Sequence, residues 1–392
     1  MLSIRLALKN LLGAGLRTWL NAFVLSLALV LIVFQMGFIQ GWNVQAKNDT
    51  TDWEVGGGEY WHQSYDPYDA LTLNDAHGVI PPELAELGRS GKATPVLVTQ
   101  ASIFPAGRMK NILLKGIDPG QKIIKLPSAS LHADSSENLK AIIGTRMAAS
   151  TGLSKGDIVT IRWRDANGTF DATEIKIADI FHTSVPTVDN NQIWIDLGSL
   201  QKMAGMQNSA TYIILSREIT SQPVASAGWI YLDHNYLFQD IDTIIKEKSI
   251  AGVVVYILLL ALALLAVFDT QVLSIFRREK EIGTYIALGM TRWQVVRLFT
   301  LEGAMNSILS IVLAALWGTP LLWMVAKSGY SLPKGTEGYG LAIAEKIFPA
   351  YSLGTVISMA LIVMITTTIV SFIPSKKIAG MKPTEALRGK SL

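Results

Sequence analysis

Four stretches of this chain stay apolar on every helical face for roughly 20 residues, the length an α-helix needs to cross ~30 Å of hydrocarbon. They lie at about 19–39, 250–268, 303–325 and 353–373, and none contains Lys or Arg. A core helix of a soluble domain keeps one polar face, so this pattern predicts four transmembrane helices. With flanking turns the spans are placed at 19–42, 250–276, 298–326 and 350–373. The first has a positive leader (Arg5, Lys9, Arg17). Its apolar run exceeds a signal-peptide core and no A-x-A-like site follows, so a retained anchor is expected.

Between the first two spans the pattern changes period. Residues 43–249 are predicted to form one large α+β domain outside the cytoplasm. Short alternating stretches at 95–101, 111–117, 157–163, 173–181, 192–196 and 211–216 read as strands, separated by turn residues such as Asp118-Pro119-Gly120 and Asn167-Gly168. Short helices fit at 144–150 and 197–205. The stretch 42–91 is rich in aromatic residues, Gly and Pro, with little periodicity, and predicts long loops. Residues 238–249 read as a helix continuing into the second span. A short outer loop, 327–349, joins spans three and four.

Two further segments carry a helical stripe. Residues 1–18 place Ile4, Leu8, Leu11 and Leu12 on one face and predict an amphipathic lead-in at the membrane surface. In 277–297, Ile282, Tyr285, Ile286 and Gly289 fall at i, i+3, i+4 and i+7. Gly289 suits a helix stop and Thr291 can cap the helix that follows. Such a helix is suited to press its face into a groove on a soluble partner, or to lie on the lipid as an ordinary inter-span loop.

Charge sets the orientation. Segments 1–18, 269–302 and 374–392 hold 3, 5 and 5 Lys/Arg against 0, 4 and 1 acidic residues, whereas 43–249 holds 18 against 24. The positive-inside rule puts both termini, including the tail 374–392, in the cytoplasm. The net charge of +3 therefore reflects topology and gives no case for nucleic acid. With no Cys in 392 residues, the outer domain must hold together by its own core.

The chemistry-bearing candidates are few. Gly88-Arg89-Ser90-Gly91-Lys92-Ala93-Thr94 lacks both the first Gly spacing and the Ser/Thr of a P-loop. The five His (His62, His77, His132, His182, His234) show no metal-ligand spacing. Asp269 and Glu302 stand near the membrane edge, where hydration suffices for them. Polar residues within the spans, such as Gln35, Asn306 and Ser307, are expected to face other helices.

Several strings resemble the FtsX-like ABC permeases. Glu281-Ile282-Gly283 followed by Ala287-Leu288-Gly289 is similar to their E-I-G-x-x-x-A-L-G signature, and Glu302 stands where that family also tends to place Glu. Pro383-Thr384-Glu385-Ala386-Leu387-Arg388 resembles their terminal P-x-E-A-L-R. Asn10-Leu11-Leu12 with Leu16-Arg17-Thr18 resembles their N-terminal motif, and Gly116-Ile117-Asp118-Pro119 and Ile143-Gly144 their periplasmic core. The resemblance implies an inner-membrane permease of the lipoprotein-releasing or macrolide-exporter type. It would bind no cofactor itself, with ATP and Mg on two copies of a partner ATPase, and work beside a second permease copy or homologue. Residues Glu279, Glu281, Ile282, Gly283, Tyr285, Ile286, Ala287, Leu288 and Gly289 would form the coupling helix. A lipoprotein carrier or adaptor would meet the periplasmic domain, and the stroke would be mechanotransmission. If the cargo is acylated, Met36, Phe38, Trp42, Val253 and Tyr256 are the candidates to meet acyl chains at the outer ends of spans one and two. Small-molecule or peptide export, and a scaffold that activates a cell-wall hydrolase, are the alternatives.

Overall fold

The structure is a computed structural model that describes residues 15–132, 138–219, 226–331 and 346–380. The 1–14 part of the lead-in helix, the Pro383–Arg388 motif and most of the outer loop, 332–345, lie outside the described residues. Among the described residues, four helices are long and apolar enough to cross a membrane: Thr18–Val55, Gln239–Arg277, Arg292–Ser328 and Leu353–Lys376. The first three, at 37–39 residues, are about twice the length a bilayer core requires. The apolar part of each accounts for only half of it. In the second, Asp240, Asp242, Lys246, Glu247 and Lys248 precede the apolar run, yet the helix is unbroken.

The chain divides into two compact units. One contains residues 1–42, 244–330 and 347–392. Its interior is aliphatic and built from all four long helices: Leu25, Leu29 and Ile32 of the first, Leu260 and Val267 of the second, Ala314 of the third and Val363 of the fourth. Small residues allow close approach. A Cβ on Gly37 would overlap the Tyr351 ring and one on Gly41 the Phe348 carbonyl, while the Ala350 amide donates to the Gly37 carbonyl at 2.9 Å. The third helix carries a π-turn at Ala314–Gly318. Here the Trp317 indole donates to Ser26 Oγ at 3.2 Å, so the bulge packs against the first helix.

The other unit, residues 43–243 and 331–346, is α+β. Its main sheet contains β1 (Glu59–His62), β3 (Ala93–Ile103), β4 (Lys110–Ile117), β5 (Leu139–Gly144), β6 (Ile158–Arg164), β7 (Phe170–Phe181), β8 (Gln192–Asp196), β10 (Tyr212–Leu215) and β11 (Trp229–Leu232). The short strands β2 (Gly78–Val79) and β9 (Ser209–Ala210) pair apart from it. The order is β11-β1-β10-β3-β4-β8-β5-β7-β6, and β6 pairs back onto β3. Six strands therefore close on themselves, which removes their free edges. The inward positions are aliphatic, among them Leu97, Leu114, Ile143, Ile161, Ile177 and Ile195. Helix Leu197–Ala204 adds Leu200 to this core.

The stretch 42–91, expected as loops, is largely ordered structure. The first helix runs to Thr50, a π-turn follows at Thr51–Val55, and β1, β2 and helix Pro82–Arg89 come after. Its aromatic residues supply the reason. Trp53, Trp61, Tyr65 and Leu73 cover the outer face of the sheet around Val96, Ile117, Trp194 and Tyr212. Tyr65 stacks on Tyr212 at 5.8 Å and Trp53 on Phe181 at 5.9 Å.

Candidate functional site

The second long helix stops at Arg277, where Arg278 leaves helical geometry (φ −106°, ψ 19°). A new helix runs from Glu279 to Ala287. Glu279 and Glu281 sit in its first turn, where carboxylates offset the helix dipole. Gly289 ends it with φ +96°, a value that glycine adopts without strain. Thr291 then caps the next helix, sharing a reciprocal capping box with Gln294. The stop and the cap are as the residue pattern predicts.

The direction of the apolar face is not as expected. Ile282 is fully buried against Ile275, Val295, Val296, Phe299 and Ile378. Tyr285, Ile286 and Met290 lie over the same cluster. The stripe foreseen as a surface for a partner is used within the chain itself, because the start of the third helix and the end of the fourth supply an apolar seat for it. Of the nine residues assigned to this helix from the sequence, Glu279, Ile282 and Gly283 are buried and Tyr285 and Ile286 half-buried. Glu281, Ala287, Leu288 and Gly289 are exposed, Leu288 at 79%. Lys280 and Thr284 share that outer face.

Arg278, which motif reading passed over, holds the assembly. Its Nη1 donates to both carboxylate oxygens of Glu302, at 3.0 and 2.9 Å. Its Nε donates to Glu281 at 2.7 Å, and the guanidinium lies 4.9 Å from the Phe299 ring centre. Glu302 is buried and ion-paired, not hydrated as expected; Asp269 is exposed. The contact partners are 24 residues apart in sequence, so no local pattern could show them.

The five residues proposed to meet acyl chains are not brought together. Met36 and Phe38 are two positions apart on one helix and so point to nearly opposite sides. Phe38 stands edge-on to Tyr330 at 5.7 Å, and Met36 lines a small cavity with Gln40, Tyr351, Ser352 and Thr355. Trp42 is buried. Tyr256 packs on the helix-bundle interior, and Val253 is exposed. The string Gly88–Thr94 runs from the last turn of helix Pro82–Arg89 into the start of β3, the reverse of the strand-to-helix order a P-loop requires. Among the described residues no group of three or more His, Cys, Asp or Glu could hold a metal ion.

Residues 253–383 match the FtsX-like permease C-terminal family. That segment is an FtsX-like permease C-terminal domain. The matched region contains the helix Glu279–Ala287, the Arg278–Glu302 pair, the second long helix from residue 253 on, and the third and fourth. The motif resemblance is thereby borne out. Over a longer span the chain is similar to the lipoprotein-releasing system transmembrane protein LolC of Neisseria meningitidis serogroup B, with 21% identity over 327 residues, 76% of this chain and 77% of the relative. It is also similar to the protein of that name from Xylella fastidiosa strain Temecula1, with 21% identity over 326 residues, 76% of this chain and 78% of the relative.

Proposed function

We propose that this chain is the membrane subunit of an ABC transporter that releases lipoproteins from the inner membrane, driven by a separate ATPase. The observation that carries the proposal is the construction of helix Glu279–Ala287. One face is seated in the permease's own core. The other, with Lys280, Glu281, Thr284, Ala287 and Leu288, is exposed. An exposed leucine at the end of a firmly seated helix is the form of an anchor for a groove on a second protein. The similarity to two LolC proteins supports lipoprotein as the cargo class.

In this reading the α+β unit is periplasmic, the helix Glu279–Ala287 is cytoplasmic, and two ATPase copies and a second permease complete the complex. Nucleotide-driven closure of the ATPases pulls on the helix, and the continuous second helix carries the stroke outward by mechanotransmission. A stiff helix transmits displacement where a loop would absorb it. A lipoprotein carrier in the periplasm would accept the cargo.

The test is capture of the native ATPase on the tagged permease. Leu288→Asp is expected to reduce capture by about tenfold or more, the loss typical of a hot-spot residue, with insertion and folding unchanged. Ile286→Asp is the poorer variant, because Ile286 also packs on the inner cluster. Capture equal to that of the parent chain would remove the docking assignment. Photo-crosslinking from Val253 and Met36 addresses the cargo, and a lipid-modified protein is the adduct expected.

A further inference from the structure

The exposed face explains how a partner can hold the helix Glu279–Ala287, but not which membrane helix the pull would reach. By connectivity alone it would reach the second, through the chain, and leave the third to follow through a loop. The side chain of Arg278 changes this. Its backbone amide still bonds to the Ser274 and Ile275 carbonyls at 3.1 and 3.2 Å, so the residue belongs to the end of the second helix. Its guanidinium bonds to both oxygens of Glu302 and lies over the Phe299 ring, both on the third helix. Its Nε bonds to Glu281 on the short helix between them.

We propose that Arg278 is a three-way joint, a positioning residue that locks the short helix to the third long helix, so that a pull on it moves the second and third helices together. This deepens the function proposed above and rests on it for the source of the pull. The joint itself does not.

The physical grounds are burial and valence. Glu302 has a side chain 9% exposed and Arg278 one 18% exposed, so water competes weakly for either charge. Hydrogen bonds between ionised groups are the strong class. Glu281 is 55% exposed, so its bond to Arg278 is the weaker arm. The node also borders the apolar cluster that contains Ile275, Ile282 and Phe299, through the contact of Arg278 with the Phe299 ring.

The absence of native Cys makes the experiment direct. Spin labels on Thr284→Cys, on the exposed face of the short helix, and Ile308→Cys, on an exposed face of the third helix, report this joint in the full chain in lipid nanodiscs. Thr284→Cys with Leu265→Cys reports the link to the second helix. The 284–308 distance distribution should be narrow in the parent chain and at least twice as broad in Glu302→Gln, whereas the 284–265 distribution stays unchanged. Glu302→Asp keeps the charge and should broaden the 284–308 distribution less than Glu302→Gln. Equal widths for the 284–308 pair in all three chains overturn the proposal, as does equal broadening of both pairs. Should Glu302→Gln fail to fold, Glu302→Asp alone decides by the same comparison of its two pairs. These readings need no ATPase. Failed capture of an ATPase would sink the functional assignment and leave the joint standing.

Discussion

Several single residues in the α+β unit carry more than packing. Glu59 lies within the aromatic layer over the sheet, accepts a hydrogen bond from the Trp61 indole, and is almost fully buried. Burial pushes its carboxyl up to about 8 against the pull of that bond and of Lys115. Lys115, also buried, is lowered by burial and lies 5.0 Å from the Trp194 ring centre and 5.7 Å from that of Tyr212. Glu59 keeps its proton in the folded chain up to a higher pH than in the unfolded one, where the ordinary value of 4.5 applies. The unfolded state therefore binds fewer protons between these values, and stability falls as pH rises from about 4.5 to about 8. Thermal unfolding of the full chain in detergent should show a midpoint several degrees higher at pH 5 than at pH 8. Glu59→Gln should flatten most of that difference, and an unchanged slope would refute the assignment. A second such residue is Asp189. It is fully buried, pairs with Arg146 Nη1 at 3.1 Å and accepts from the Arg146 amide at 3.0 Å. Asp189→Ala strips the half-buried Arg146 of its buried partner, and a loss of roughly 3 kcal/mol in chemical denaturation is expected.

At the scale of elements, legibility followed locality. β8 falls on the residues expected, Gln192–Asp196, because a short apolar run bounded by turns is a local signal. β5, Leu139–Gly144, went unread. It is a buried strand parallel to β7 and antiparallel to β8, and its stabilising partners are tens of residues away. β1 was hidden in the Gly- and aromatic-rich stretch, since four residues are too few to establish a period. The short helix between the second and third spans shows the same division. Its existence, its stop at Gly289 and its cap at Thr291 were visible, but the choice of buried face was not, because Val295, Phe299 and Ile378 make that choice from other segments. The cap lends itself to measurement. Thr291→Ala removes the side-chain acceptor for the Gln294 amide, at a cost of about 1 kcal/mol. The third helix should fray at Arg292, seen as faster amide exchange over its first turn, while exchange at Glu279–Ala287 stays as in the parent chain.

For the whole molecule, the decisive question is the side on which each exposed surface lies. In the proposed topology the four helices of membrane-crossing length put segments 1–18 and 374–392 on one side, and the charge count predicts that side to be the cytoplasm. The asymmetry lies in short segments adjacent to the helices, Arg277, Arg278, Lys280, Arg292 and Arg297 on one side of the second and third, which are the positions the rule weighs. The α+β unit, by contrast, is acidic and large, and the rule gives little weight to the charges of so large a domain. The orientation therefore depends on few residues and is open to direct measurement. In intact cells an impermeant thiol reagent should label Phe170→Cys, exposed on β7, once the outer membrane is permeabilised. Thr284→Cys should stay unlabelled until the inner membrane is opened. The reverse pattern would put the helix Glu279–Ala287 beyond the reach of any cytoplasmic ATPase. It would leave the Arg278 joint intact as geometry but with nothing to pull on it, and the same seated helix would then need a partner in the periplasm.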